Sequence, residues 1–141
     1  MFRLIDSTDM AILKALNRNC RLKVSHLAQQ VHLTAPAVAA RIANLEATGV
    51  IKNYTIETDL NKIGFNLQVF IQVKLLATKQ TAYLAFIHQH RNDIRHHYQT
   101  TGEMNYLIEA AFMSRDNLKD FLDNLTQFAS YRVIDVLGKQ F

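Results

Sequence analysis

Thr34, Arg41 and Asn44 lie in one short run, TAPAVAARIANLEATG, among small apolar residues. An arginine fork matches the edge of guanine, an asparagine amide matches adenine, and alanine or threonine methyls match the methyl of thymine. The chemistry such a run could do is recognition of DNA rather than bond breaking. Little else suggests a reaction. His88, His90, His96 and His97 crowd together. Residues two apart on a helix point about 200° apart, and neighbours on a strand face opposite ways, so no metal-ligand spacing results. There is no Ser/His/Asp arrangement, no phosphate loop and no paired acids in an expected cleft. No catalytic residue, metal or cofactor is therefore expected.

The elements that must position that run are legible on either side of it. Val24 to Val31 places Leu27, Ala28 and Val31 on one face of a short helix. His32-Leu33 leaves room only for a sharp turn. Thr34 offers an N-cap oxygen, and Pro36 sits in the first turn, where a missing N–H is harmless. Val38, Ile42 and Leu45 then form a buried stripe, and Gly49 closes the helix. Subtracting the stripe leaves Ala35, Pro36, Ala37, Ala40, Arg41 and Asn44 as the outward face. Val50 to Ile56 alternates as a strand should, and serves as a wing. Upstream, Asp6 is a good N-cap, Asp9 adds negative charge to the first turn, and Ile5 with Met10 form a staple. Ile12, Leu13 and Leu16 make that helix's inner face. A helix-turn-helix places its second helix in the major groove.

Charge distribution points the same way. The chain has 141 residues, 49% of them hydrophobic, and a net charge of +4. Residues 1–55 hold seven Lys/Arg against three acids, while residues 56–141 hold nine of each. All the positive excess thus sits on the segment expected to meet phosphate. Arg21 and Lys52, with Lys14, are assigned as phosphate contacts. One cysteine, Cys20, excludes an internal disulfide and fits a reducing cytoplasm. No apolar run approaches the roughly 18 residues of a membrane helix. Asp6 and Asp9 fall where a signal peptide would be apolar. A cytoplasmic, nucleoid-associated protein is expected.

After a linker at residues 59–66, pivoting on Gly64, the pattern changes. Leu67, Val69, Ile71, Val73 and Leu75 alternate with other residues in a half-buried strand. Tyr83, Phe86 and Ile87 mark a helix; 94–101 and 106–113 read as strands around a Gly102–Asn105 turn. Leu118, Phe121, Leu122, Leu125 and Phe128 form a helix stripe behind Ser114 as N-cap, and residues 131–137 are a last strand. The order βαββαβ is that of a ferredoxin-like sandwich. The expected fold is α+β: a winged helix-turn-helix domain over 1–58 and a ferredoxin-like domain over 67–141.

Taken together these residues resemble the Lrp/AsnC (feast/famine) family of prokaryotic transcription regulators over essentially the full length. The resemblance rests on Asp6, Asp9, Ile12 and Leu13; on Arg21, Leu27 and Ala28; on Arg41, Ile42, Leu45 and Glu46; and on GVIKNY and the Gly102 turn. It implies an N-terminal domain on double-stranded DNA and a C-terminal domain that dimerises. It also implies assembly into larger rings, a tetramer or octamer, and an amino-acid effector bound between subunits at Thr101, Gly102, Glu103, Met104 and Asn105. Three positions depart from the family pattern. Lys23 stands where a capping Ser or Thr is usual; either the cap is lost, at roughly 1 kcal/mol, or Lys23 faces a phosphate. His32 replaces a turn glycine, and histidine tolerates the left-handed conformation better than most residues. In the effector turn the family commonly has Asp where this chain has Asn105; Glu103 supplies the missing charge, or the turn binds nothing. The reading is a DNA-binding regulator with modest direct readout, helped by DNA shape. Its alternatives are a chromatin-like architectural protein without effector and a sirohaem-decarboxylase-like enzyme of the same fold.

Overall fold

The computed structural model describes residues 4–140, so Arg3, counted above among the basic residues, lies outside it. The chain divides into two compact units, with the break between Glu57 and Thr58.

The first unit holds three helices: α1 (Ser7–Arg18), α2 (Val24–Gln30) and α3 (Ala35–Ala47). Asp6 caps α1 in a full capping box, accepting from the Asp9 amide while Asp9 accepts from its own. Two orphan donors of the first turn are thereby satisfied. Ile5 and Met10 are both exposed, so they add little buried surface to the box that fixes the helix start. Thr34 caps α3 by accepting from the Ala37 amide, and Pro36 occupies its first turn. Lys23 begins α2 without a side-chain cap. Ile12, Leu16, Leu27, Ala28, Val38 and Leu45 close into one core, with Ile42 and Ile51 packed on it.

Residues 50–58 form no strand, which corrects the expected wing. A strand needs a partner edge, and the described residues of this three-helix unit supply none. The segment is instead tied down along its length. The Ile51 amide donates to the Leu45 carbonyl at 3.0 Å, the Tyr54 hydroxyl to Glu46 Oε1 at 2.7 Å, and Cys20 Sγ to the Thr55 carbonyl at 3.5 Å. The bond to Glu46, with some burial, pushes the Tyr54 hydroxyl up to about 12.

The second unit opens with a 3-10 turn at Asn61–Ile63 and Gly64, then runs β1 (Leu67–Leu75), α4 (Gln80–Gln89), β2 (Ile94–Gln99), β3 (Tyr106–Phe112), α5 (Arg115–Leu125) and β4 (Ala129–Asp135). The last strand begins two residues earlier than its alternation suggested. The sheet is antiparallel in the order β2-β3-β1-β4. Val69, Ile71, Val73, Ile108, Ala110 and Phe112 face α4 and α5, meeting Tyr83, Phe86, Ile87, Leu118, Phe121 and Leu125 in the core. The other sheet face carries Phe70 beside Glu109 and Ile134, and Gln72 beside Leu107 and Arg132. Tyr98 and Ile134 on that face are exposed.

Candidate nucleic-acid interface

The turn between α2 and α3 is short because its backbone bends sharply at His32, with φ of 54°. An L-residue pays for that conformation in strain, and histidine is among those that adopt it more often. The Leu33 amide donates to the Ala28 carbonyl at 3.0 Å, locking the turn onto α2. Thr34 then starts α3 with the extended backbone of an N-cap. The two helices are thus joined rigidly, with one side of α3 in the core and the other open.

The open side differs from the expected one. Thr34, Pro36 and Ala40 are exposed as expected, whereas Ala35, Ala37 and Asn44 are half-buried, and Ala39 and Ala43 are exposed in their place. The largest correction concerns Arg41, whose side chain is only 18% exposed. Its Nη1 donates to both Asp6 carboxylate oxygens and to Asp9 Oδ1, each at 2.8 Å. Asp9 is buried, and Asp6 also caps α1, so a single guanidinium nitrogen ties the start of α1 to the middle of α3. The hydrogen bonds to Asp6 and then Asp9 raise the Arg41 pKa further above its ordinary value. The physical reason is positional. Arg41 is three residues after Val38 and four before Leu45, so it shares their inward stripe.

Arg21, Lys23 and Lys52 are all exposed, as are Lys14 and Arg18. Lys52 sits in the extended segment after α3 rather than in a wing.

The candidate effector turn lies in the second unit. Gly102 has φ of 94°, a value that suits glycine. Glu103 is paired with Lys74, whose hydrogen bond holds its carboxyl below the usual range. The Asn105 side-chain oxygen accepts from the Leu75 amide at 3.0 Å, and the Thr100 hydroxyl donates to the Met104 carbonyl at 2.8 Å. Thr101 is exposed and Met104 half-buried. Glu103 and Asn105 are thus engaged with β1, and the Met104 carbonyl with Thr100. Nearby, His97 Nε2 lies 2.9 Å from the buried Tyr83 hydroxyl, and its ring stacks on Tyr106. Burial lowers the pKa of His97 and raises that of Tyr83. His96 faces Glu109 instead. Among the described residues no group of three or more His, Cys, Asp or Glu side chains is placed to hold a metal ion. No described helix is long and apolar enough to cross a membrane.

Residues 5–46 match the model of the AsnC-type helix-turn-helix domain. The chain is 38% identical over 136 residues to the HTH-type transcriptional regulator LrpA of Bacillus subtilis, covering 96% of this chain and all of that one. Its fold matches Bacillus subtilis LrpC with a TM-score of 0.90 at 24% identity, covering 98% and 97% of the two chains. A Neisseria meningitidis transcriptional regulator, solved as a complex with L-methionine, also matches at a TM-score of 0.90 and 24% identity, over 98% and 93% of the chains.

Proposed function

The chain belongs to the Lrp/AsnC family of DNA-binding transcriptional regulators, and from that membership we propose that it acts as an oligomer on promoter DNA under control of a small amino acid. The observation that carries the DNA reading is the α2-turn-α3 geometry inside the matched residues 5–46: a rigid turn, a capped second helix and one side of that helix open. In this reading Thr34, Pro36 and Ala40 face bases, with Ala35, Ala37 and Asn44 at the margins. Arg21, Lys23 and Lys52 meet phosphates, each contact steepening the dependence of affinity on salt. Arg41 sets the angle of α3 against α1 and reaches no base.

The second unit is read as the self-association and effector domain. Its open sheet face carries Phe70, Leu107, Tyr98 and Ile134, an apolar set a second copy would cover. The 101–105 turn is the effector candidate, supported by its position and by the L-methionine complex of the Neisseria protein. An effector ammonium there would have to share Glu103 with Lys74, since Asn105 carries no charge. The place of action is the reducing cytoplasm.

The deciding experiment is a gel shift of the whole chain on the promoter of its own gene against scrambled DNA, with and without pooled amino acids. Promoter preference that changes with amino acids is the expected result. Equal affinity for both DNAs with no amino-acid effect would instead make this an architectural DNA-binding protein. That alternative draws support from the scarcity of hydrogen-bonding groups on the open side of α3. Absence of any binding would overturn both.

A further inference from the structure

We propose that α3 recognises the 5-methyl groups of pyrimidines, so that this chain selects DNA by where thymine methyls stand in the major groove. The inference rests on the reading of α3 as the DNA-facing helix and concerns what that helix can distinguish.

Of the groups in this helix run suited to hydrogen-bonding a base edge, Arg41, Thr34 and Glu46 are bonded within the protein and Asn44 is half-buried. Arg41 Nη1 is held at 2.8 Å by carboxylate oxygens of Asp6 and Asp9. Thr34 Oγ1 is engaged as the cap of α3, accepting from the Ala37 amide. Beside Thr34 and Glu46, the exposed residues of the helix are Pro36, Ala39, Ala40, Ala43 and Ala47, none with a hydrogen-bonding side chain. Residues 36, 40 and 43 follow one another at four and three, a single line along the helix. At 1.5 Å per residue that line is about 10 Å long, or about three steps of B-DNA.

Such a surface has one favourable match. Against guanine, cytosine or adenine it covers donors and acceptors and returns no hydrogen bond, which is unfavourable. Against thymine it also covers the O4 acceptor, but it buries a methyl group that no other base offers, which is favourable. The methyl belongs to one strand only, so the helix distinguishes T·A from A·T as well as from G·C. Exposed Arg21, Lys23 and Lys52 would supply attraction to the backbone without altering this selection. The same surface gains equally from 5-methylcytosine, whose methyl stands at the same ring position.

The test uses the whole chain and a pool of random duplexes, from which bound sequences are enriched. Each thymine of an enriched site is then replaced singly by uracil, which removes the methyl and leaves every hydrogen-bonding group. At contacted positions we expect about a fourfold loss of affinity per methyl, and none at flanking positions. Where cytosine is placed at a contacted position, 5-methylcytosine should restore affinity by a similar factor. Ala40→Ser, which exchanges a methyl-only side chain for a hydroxyl, should shrink the thymine-to-uracil ratio. An enriched site indifferent to uracil throughout would overturn the proposal while leaving the helix-turn-helix reading intact. Binding without enrichment would also overturn it, in favour of an architectural role. No binding to any duplex would overturn the DNA reading itself.

Discussion

Arg41 carries the strongest lesson at the scale of single residues. An arginine on the second helix of a helix-turn-helix suggests a guanine reader, yet its guanidinium closes on Asp6 and Asp9. The information was in the spacing. Val38, Arg41 and Leu45 share one stripe, and a charge on a core stripe calls for an opposite charge within reach, which the cap of α1 supplies twice. Asp9→Ala removes the buried partner and one half of the capping box. It should destabilise the first unit by about 1–3 kcal/mol, read by thermal melting. Arg41→Gln should lower affinity for its own promoter more than for scrambled DNA, with the loss spread over every base pair that α3 reads, because the angle of α3 is lost rather than one base contact. A loss confined to one base pair of the site would contradict this. Asn105 is a parallel case in the second unit. Its turn-forming type was legible, but the bond from the Leu75 amide was not, because it spans 30 positions of sequence.

His97 makes the pH dependence specific. Burial depresses its pKa, so the folded chain resists protonation at a site the unfolded chain protonates near its ordinary value of 6.5. The unfolded state then binds more protons as the pH falls below that value, and stability declines with it. The contribution is fully present above about 6.5 and is lost as the pH falls toward the folded-state pKa. Melting temperatures measured between neutral and mildly acid pH should fall more steeply for the native chain than for His97→Gln. Parallel curves would remove His97 from the account.

Elements were legible wherever a periodic face met a core and a cap sat at its end. The five described α-helices fall where the spacing placed them, with Asp6, Thr34 and Ser114 as caps, although the last ends at Leu125 and leaves Phe128 beyond it. The 50–56 segment alternates without being a strand for a definite reason: alternation records which side chains are covered and says nothing about whether a partner strand exists. Ile51 is covered by the core and Tyr54 held by Glu46, which is enough to produce the pattern. The α2 start permits a test at this scale. Lys23 makes no side-chain cap bond, so Lys23→Ser should stabilise the chain by about 1 kcal/mol. If Lys23 also meets a phosphate, the same variant loses DNA affinity and its salt dependence drops by about one ion. Greater stability with unchanged DNA binding would assign Lys23 to neither role.

For the whole molecule the question is how a sparse reading surface becomes a useful regulator. The open side of α3 offers methyls, and a handful of exposed cations offers screened attraction, so one copy on one half-site binds weakly. Two linked copies convert the second contact into an intramolecular one, which raises affinity by about 10²–10⁴ without any new group. Function then depends on the second unit although it meets no DNA in this reading. Phe70 is the residue to change, since it lies between Glu109 and Ile134 on the sheet face turned away from the core. Phe70→Glu sets two carboxylates side by side where a second copy would have to cover them. The variant should sediment as a monomer, keep its helical circular dichroism, and lose DNA affinity by about a hundredfold or more. Monomer formation with affinity retained would show that a single α3 suffices, and then its few methyl contacts must be worth far more than their area implies. An unchanged oligomer would move the association surface off this sheet face.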